Sequence, residues 1–167
     1  SSVRRPPIAL ANRLLLNLNL NLNLNSPFTS DTKAPSSPTS AQLLTLSTAQ
    51  QIKGDIPAAI SLANRALTQQ RTEKYDPHAI ADTSLFLGKL FQLEQRYQDA
   101  ETSFTEARTI HQHLPPAHRL PTTPRSEYTA LSLIAHAQKK QNRIDDAERS
   151  YLAALKGLEE CVGWEDG

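Results

Sequence analysis

The sequence predicts an all-α protein: about three helical hairpins of one repeated design, preceded by a disordered N-terminal tail. Three observations carry this reading. At about residue 41 the pattern changes from tail-like to helical. Ala59, Ala100 and Ala147 then fall in one column, with small residues recurring in register around it. Finally, GDIPAAISLANRAL, QRYQDAETSFTEAR and NRIDDAERSYLAAL read as three versions of one turn followed by one helix.

The tail spans residues 1–40. Residues 14–25, LLLNLNLNLNLN, alternate Leu with Asn, which is the strand period, yet no second such run exists to pair with them. The amides, and a length well short of about 20 apolar residues, rule out a membrane span. Arg4, Arg5 and Arg13 precede any acidic residue, the first being Asp31, and SPFTSDTKAPSSPTS follows. This composition fits an organellar transit segment leading into a Ser/Pro-rich linker, and it equally fits a simple-sequence expansion in an idle terminus.

The hairpins are expected over about 41–72, 78–113 and 126–160, with 161–167 as a C-terminal tail. Four residues after the Ala column stand Ala63, Phe104 and Tyr151, and seven after it Ala66, Ala107 and Ala154. Twelve before it stand Ser47, Gly88 and Ala135, preceded by Leu46, Leu87 and Ile134. Small residues recur where two helix backbones must approach, with Phe104 and Tyr151 filling the gap toward the adjoining helix. Asp55 is placed to cap the second helix of the first hairpin, and Pro57 sits in its first turn, where a missing N–H costs little.

These three turn-plus-helix stretches resemble the tetratricopeptide repeat (TPR), which implies an α–α superhelix. The Ala column is spaced by 41 and then 47 residues, against about 34 in the usual repeat, and so looks like the longer variety of kinesin light chains. The extra length falls in RTEKYDPH and HQHLPPAHRLPTTPR. Gln50 and Gln138 depart from the pattern where an aromatic is common, and Gln95 and Asn142 where a turn glycine is.

Little in the chain supports chemistry. A net charge of +1 lacks the footprint of a general nucleic-acid binder, so no nucleic acid is expected as a partner. The glycines, Gly54, Gly88, Gly157, Gly163 and Gly167, stand too far apart for a phosphate-cradling loop, and no cofactor is expected. Cys161 stands alone, with no motif joining it to a histidine, and can form neither a disulfide framework nor a cysteine-based zinc site. His111 and His113 on one helix point about 200° apart and cannot share an ion; with His118 and His136 they read as ordinary helix and loop residues. Asp145, Asp146 and Glu148 open a helix, where acids favour the positive dipole end. No catalytic residue and no metal ligand is assigned.

What the resemblance implies is binding. Carried over from the family, the groove lined by first helices comprises Leu44, Thr48, Gln51 and Ile52; Asp82, Leu85, Lys89, Gln92 and Leu93; and Thr129, Ser132, His136, Lys139 and Lys140. The family's two-carboxylate clamp for chaperone tails is absent, since its places hold Leu44, Thr48, Phe86, Thr129 and Leu133, and the asparagine ladder of kinesin light chains is missing too. The expected partner is a protein segment, acidic at one end and apolar at the other. Leu152, Leu155 and Trp164 are left with nothing to cover them. Either self-association through the C-terminal helix or a docked partner or further segment is expected there. The function expected is a scaffold, adaptor or assembly module in an organelle, the mitochondrion. The alternatives are a regulatory segment of a larger cytosolic protein and, less favoured, an RNA-binding helical repeat.

Overall fold

The computed structural model of the chain describes residues 37–162; the arginine-bearing tail, the Leu–Asn run and Trp164 lie outside them. Within that range the protein is all-α: α1 (Ser40–Lys53), α2 (Ile56–Thr72), α3 (Pro77–Leu93), α4 (Tyr97–His113), a 3-10 turn (Pro116–His118), α5 (Thr123–Lys140) and α6 (Ile144–Val162). Each α-helix packs on the next in sequence, giving three hairpins, α1–α2, α3–α4 and α5–α6, stacked in order.

Local chemistry sets the helix ends. Thr39 and Gln42 form a reciprocal capping box at α1, with Thr39 N–H donating to Gln42 Oε1 at 2.9 Å. Asp55 Oδ1 accepts from Ala58 N–H at 3.1 Å, and Asp76 Oδ1 from His78 N–H, so α2 and α3 each start on a carboxylate cap followed by proline. Pro77 and Pro124 pull the starts of α3 and α5 a little upstream of the sequence-based bounds, and α6 runs on to Val162. Much of the extra repeat length is helical: only residues 73–76 link α2 to α3, while 114–122 form the longer proline-rich connection. Arg119 holds that connection by donating to the Leu114 and Gln112 carbonyls at 3.1 and 3.0 Å.

Four chain reversals use one conformation. Gly54, Lys74, Gln95 and Asn142 all have positive φ, at 86°, 52°, 59° and 63°. The next N–H reaches back into the helix in every case, as Arg96 does to Phe91 O at 2.9 Å and Arg143 to Gln138 O at 3.0 Å. The left-handed turn is therefore kept at Gln95 and Asn142, where no glycine marks it.

Ala59, Ala100 and Ala147 are all buried, as are Ser47, Gly88 and Ala135. In the first hairpin Ser47 Oγ donates to Ala59 O at 2.6 Å, which places the two columns in direct contact. In the second, the fully buried Phe104 ring lies on Gly88, where an added Cβ would sit 2.7 Å from Phe104 Cδ1. Tyr151 departs from expectation. Ala135 stands at the position of Gly88, no further helix follows α6 among the described residues, and Tyr151 is exposed instead of filling a gap. The third hairpin gains its close fit elsewhere, with the Tyr128 ring packed against Gly157.

The hairpins are joined differently. Between the first two, Ile60 and Phe91 lie within one apolar core cluster. Between the second and third, the matching positions are Glu101 and Gln138. Gln138 Nε2 and Gln141 Nε2 donate to Glu101 at 3.0 and 2.8 Å, Arg143 adds an ion pair at 2.8 Å, and Ser150 Oγ donates to Gln138 Oε1 at 2.9 Å. Gln138 thus departs from the apolar pattern because Glu101 faces it.

Two outcomes check this packing. Gly88→Ala and Ala100→Leu are each expected to lower unfolding free energy by about 1 to 3 kcal/mol in denaturant titrations, since no void receives the added carbon; unchanged midpoints for both would show that the column is no contact. Gln95→Gly and Lys74→Gly, at positive φ, are expected each to raise stability by about 0.5 to 1 kcal/mol, the left-handed strain relieved less the added chain entropy.

Candidate partner-binding groove

The first helices α1, α3 and α5 carry the expected groove positions. Leu44 and Thr48, one turn apart on α1, meet Ala79, Asp82, Thr83 and Phe86 of α3 around a hollow of about 310 Å³, with Gln70 of α2 also in its lining. Leu44, Ala79 and Phe86 supply apolar surface. Thr48 and Thr83 turn their hydroxyls onto their own helices, donating to Leu44 O and Ala79 O at 3.0 and 2.9 Å. Two acceptors remain: the exposed Asp82 carboxylate and Gln70 Oε1, which is buried and receives no hydrogen bond from the protein. A buried amide oxygen without a donor is uncommon, because desolvating it costs about 1 to 3 kcal/mol.

Farther along, Gln92 Nε2 donates to His136 Nδ1 at 3.0 Å, bridging α3 and α5 and leaving the His136 proton on Nε2. Lys89, Lys139 and Lys140 are exposed, and none of them forms an ion pair among the described residues. The fold thus brings Leu44, Thr48 and Asp82 into one hollow, and Gln92 and His136 into one bond. Gln51, Ile52, Leu93, Thr129 and Ser132 join neither; Ile52 and Leu93 stand exposed near the ends of α1 and α3, and Leu85 packs partly against the core. Sequence reasoning missed Gln70 and Thr83. The signal for Gln70 was faint, a polar residue on the apolar stripe of a second helix, in the column position that His111 holds one hairpin later; Thr83 carried none.

His111 repeats that oddity. It is buried on α4, neither ring nitrogen has a hydrogen-bond partner, and its ring centre lies 5.9 Å from that of His78 on α3. His78 Nε2 donates to His118 O at 2.7 Å, tying the 3-10 turn to α3, while His113 is exposed and its Nδ1 donates to Thr109 O at 2.8 Å. Burial, and then the neighbouring His78, hold the His111 imidazole below its ordinary range, against the weaker pull of Asp82 and Glu127.

Of the other candidates, Asp146 has structural partners. The Asp146 carboxyl is held below its usual range by hydrogen bonds from Arg143 and then Arg149. Cys161 is half-buried beside a hollow of about 400 Å³ lined also by Arg125, Tyr128 and Glu160, with no histidine on its wall. Among the described residues no group of three His, Cys, Asp or Glu is placed to hold a metal ion, and no helix is long and apolar enough to cross a membrane.

No protein-family model matches the chain, and no curated protein matches it. Among solved structures it is similar to BtubC (BKLC) from P. vanneervenii, with a TM-score of 0.66 and 17% sequence identity over 92% of this chain and 57% of that one. The chain therefore spans little more than half of that neighbour's length. At this identity the likeness shows the fold, a TPR-like stack of helical hairpins.

His111 gives stability a pH dependence whose sign follows from its burial. Its pKa is lowered from 6.5 in the fold, so below about pH 6.5 the unfolded chain binds the proton first and folding weakens as pH falls. His111→Leu is expected to remove that component. In thermal melts at pH 7 and pH 5 the variant should therefore gain on the wild type as pH drops; a gap independent of pH would show that the imidazole is not held neutral.

Proposed function

We propose that the chain is a non-catalytic protein-interaction module that holds a partner segment along the first-helix face of its hairpins. The observation that carries this reading is the hollow between α1, α2 and α3, where Leu44, Thr48 and Asp82 converge beside a buried Gln70 oxygen lacking a donor. The apolar walls take one side chain of a bound segment, while the exposed Asp82 carboxylate at the rim accepts from one of its N–H groups. At the other end, Lys89, Lys139 and Lys140 supply unpaired positive charge. The segment is apolar where it meets the hollow and acidic where it meets α5, and Asp82 favours a donor next to the apolar part. The repeat spacing supports the longer, kinesin-light-chain-like variety of TPR, and the missing clamp argues against chaperone tails.

The module serves as a scaffold or adaptor in complex assembly. The arginine-bearing, acid-free start of the chain supports import into the mitochondrion; mass spectrometry of the mature N-terminus tests it, since cleavage before about residue 40 is expected and an intact cytosolic tail contradicts it. In the cytosolic case the same groove belongs to a regulatory segment.

The groove is tested by fluorescence anisotropy with peptides carrying an apolar half followed by an acidic half. The double variant Lys89→Glu with Lys139→Glu is expected to weaken binding about tenfold or more at low salt, roughly 1.4 kcal/mol, and by less at high salt, as exposed charges are screened. Unchanged affinity at low salt, together with loss of binding on altering the outer face of the second helices, would place the site elsewhere.

A further inference from the structure

The register of the three hairpins exposes, at the two ends of the stack, the two halves of one joint. On α1, Leu46 is 41% exposed, whereas its equivalents Leu87 and Ile134 are 4% and 5% exposed. Gln50 shares this stripe, and its equivalents Phe91 and Gln138 are buried against the hairpin before them. On α6, Leu155 is 55% exposed, whereas its equivalent Leu67 is 3% exposed beneath the following hairpin. The stripe buried in the second and third hairpins is open in the first; the second-helix face buried at Leu67, and partly covered at its equivalent Arg108, is open on α6.

The polar groups on these open faces are complementary in the same register. Inside the stack, Glu101 receives Gln138 and Gln141. The equivalent of Glu101 on α6 is Glu148, and the equivalents of Gln138 and Gln141 on α1 are Gln50 and Lys53; Glu148 and Lys53 are exposed. We propose that α6 of one molecule takes α1 of a second copy, the two chains meeting as the second and third hairpins meet within one chain. Glu148 then receives the Gln50 amide and the Lys53 ammonium, and Leu46 and Leu155 leave water together. Asp55 stands where Arg143 stands in the internal joint, so one favourable charge contact is replaced by an unfavourable one and the contact is weaker than its model. Because the faces differ, the contact is head-to-tail and propagates into an open chain of molecules instead of closing as a twofold dimer. This rests on the repeat register and is independent of the groove reading.

Sedimentation velocity of the full chain over a range of concentrations tests the proposal. The wild type is expected to show an average mass that rises with concentration past that of a dimer. Glu148→Lys and Lys53→Glu, both at exposed positions, are each expected to weaken assembly at least tenfold with unchanged helical circular dichroism. An equimolar mixture of the two variants should recover it, since every mixed contact pairs Lys with Glu or keeps the native pair. A chain that stays monomeric throughout, assembly stopped by Glu148→Lys but indifferent to Lys53→Glu, or assembly indifferent to both, would overturn the proposal.

Discussion

Everything in this structure depends on two helix backbones coming close inside each hairpin with almost nothing between them. Ser47 against Ala59, Gly88 under Phe104 and Gly157 under Tyr128 leave room for a hydroxyl or an aromatic face, and no more. The second hairpin shows the trade most clearly, because losing the Gly88 side chain admits the whole Phe104 ring, whose burial is worth about 1.5 to 3 kcal/mol. In the third hairpin Ala135 stands in place of Gly88, the matching aromatic Tyr151 is exposed, and the close fit is that of Tyr128 on Gly157.

With the hairpins fixed, the stack is held by joints of different chemistry. The first is apolar around Ile60 and Phe91, and it also carries polar contacts at its edge, where Glu106 of α4 pairs with Arg71 of α2 and accepts from Ser84 Oγ of α3 at 3.1 Å. The second is built on Glu101, and farther down the same helices Gln112 Nε2 donates to Glu127 at 2.8 Å. Apolar contact supplies most of the free energy, and satisfied polar groups fix which residue faces which, since shifting the register strands a buried amide or carboxylate. The α4 helix is therefore the middle of the molecule in an energetic sense, with Glu106 directed to one neighbouring hairpin and Glu101 to the other.

The same geometry leaves polar groups unsatisfied. Stacked first helices place Leu44 and Asp82 around one hollow, and the second helix behind them contributes Gln70, whose oxygen the fold does not satisfy. In the next hairpin the matching position is His111, buried and likewise without a partner.

The sequence by itself determined the elements that rest on neighbours close along the chain. The alanine column, the Asp55 cap, the prolines in first turns and the break at about residue 41 are local signals, read within one or two helical turns, and the hairpin register follows from them. The groove positions were legible only as a family carry-over, and just five of the fourteen are tied together by contacts seen in the fold. Only the tertiary structure decided the rest, because each outcome depends on what covers a residue from far away in sequence. Gln95 takes the left-handed turn since the returning helix holds it there, at a local cost that its residue type did not announce, whereas Asn142 is of a type that tolerates it. Gln138 faces inward because Glu101, 37 residues earlier, waits for its amide. Tyr151 points outward where no further helix follows α6 among the described residues, and Gln70 lies buried because α1 and α3 close over it. A side chain's identity travels with the sequence, but whether it meets core, carboxylate or water is set by the neighbour that packing brings.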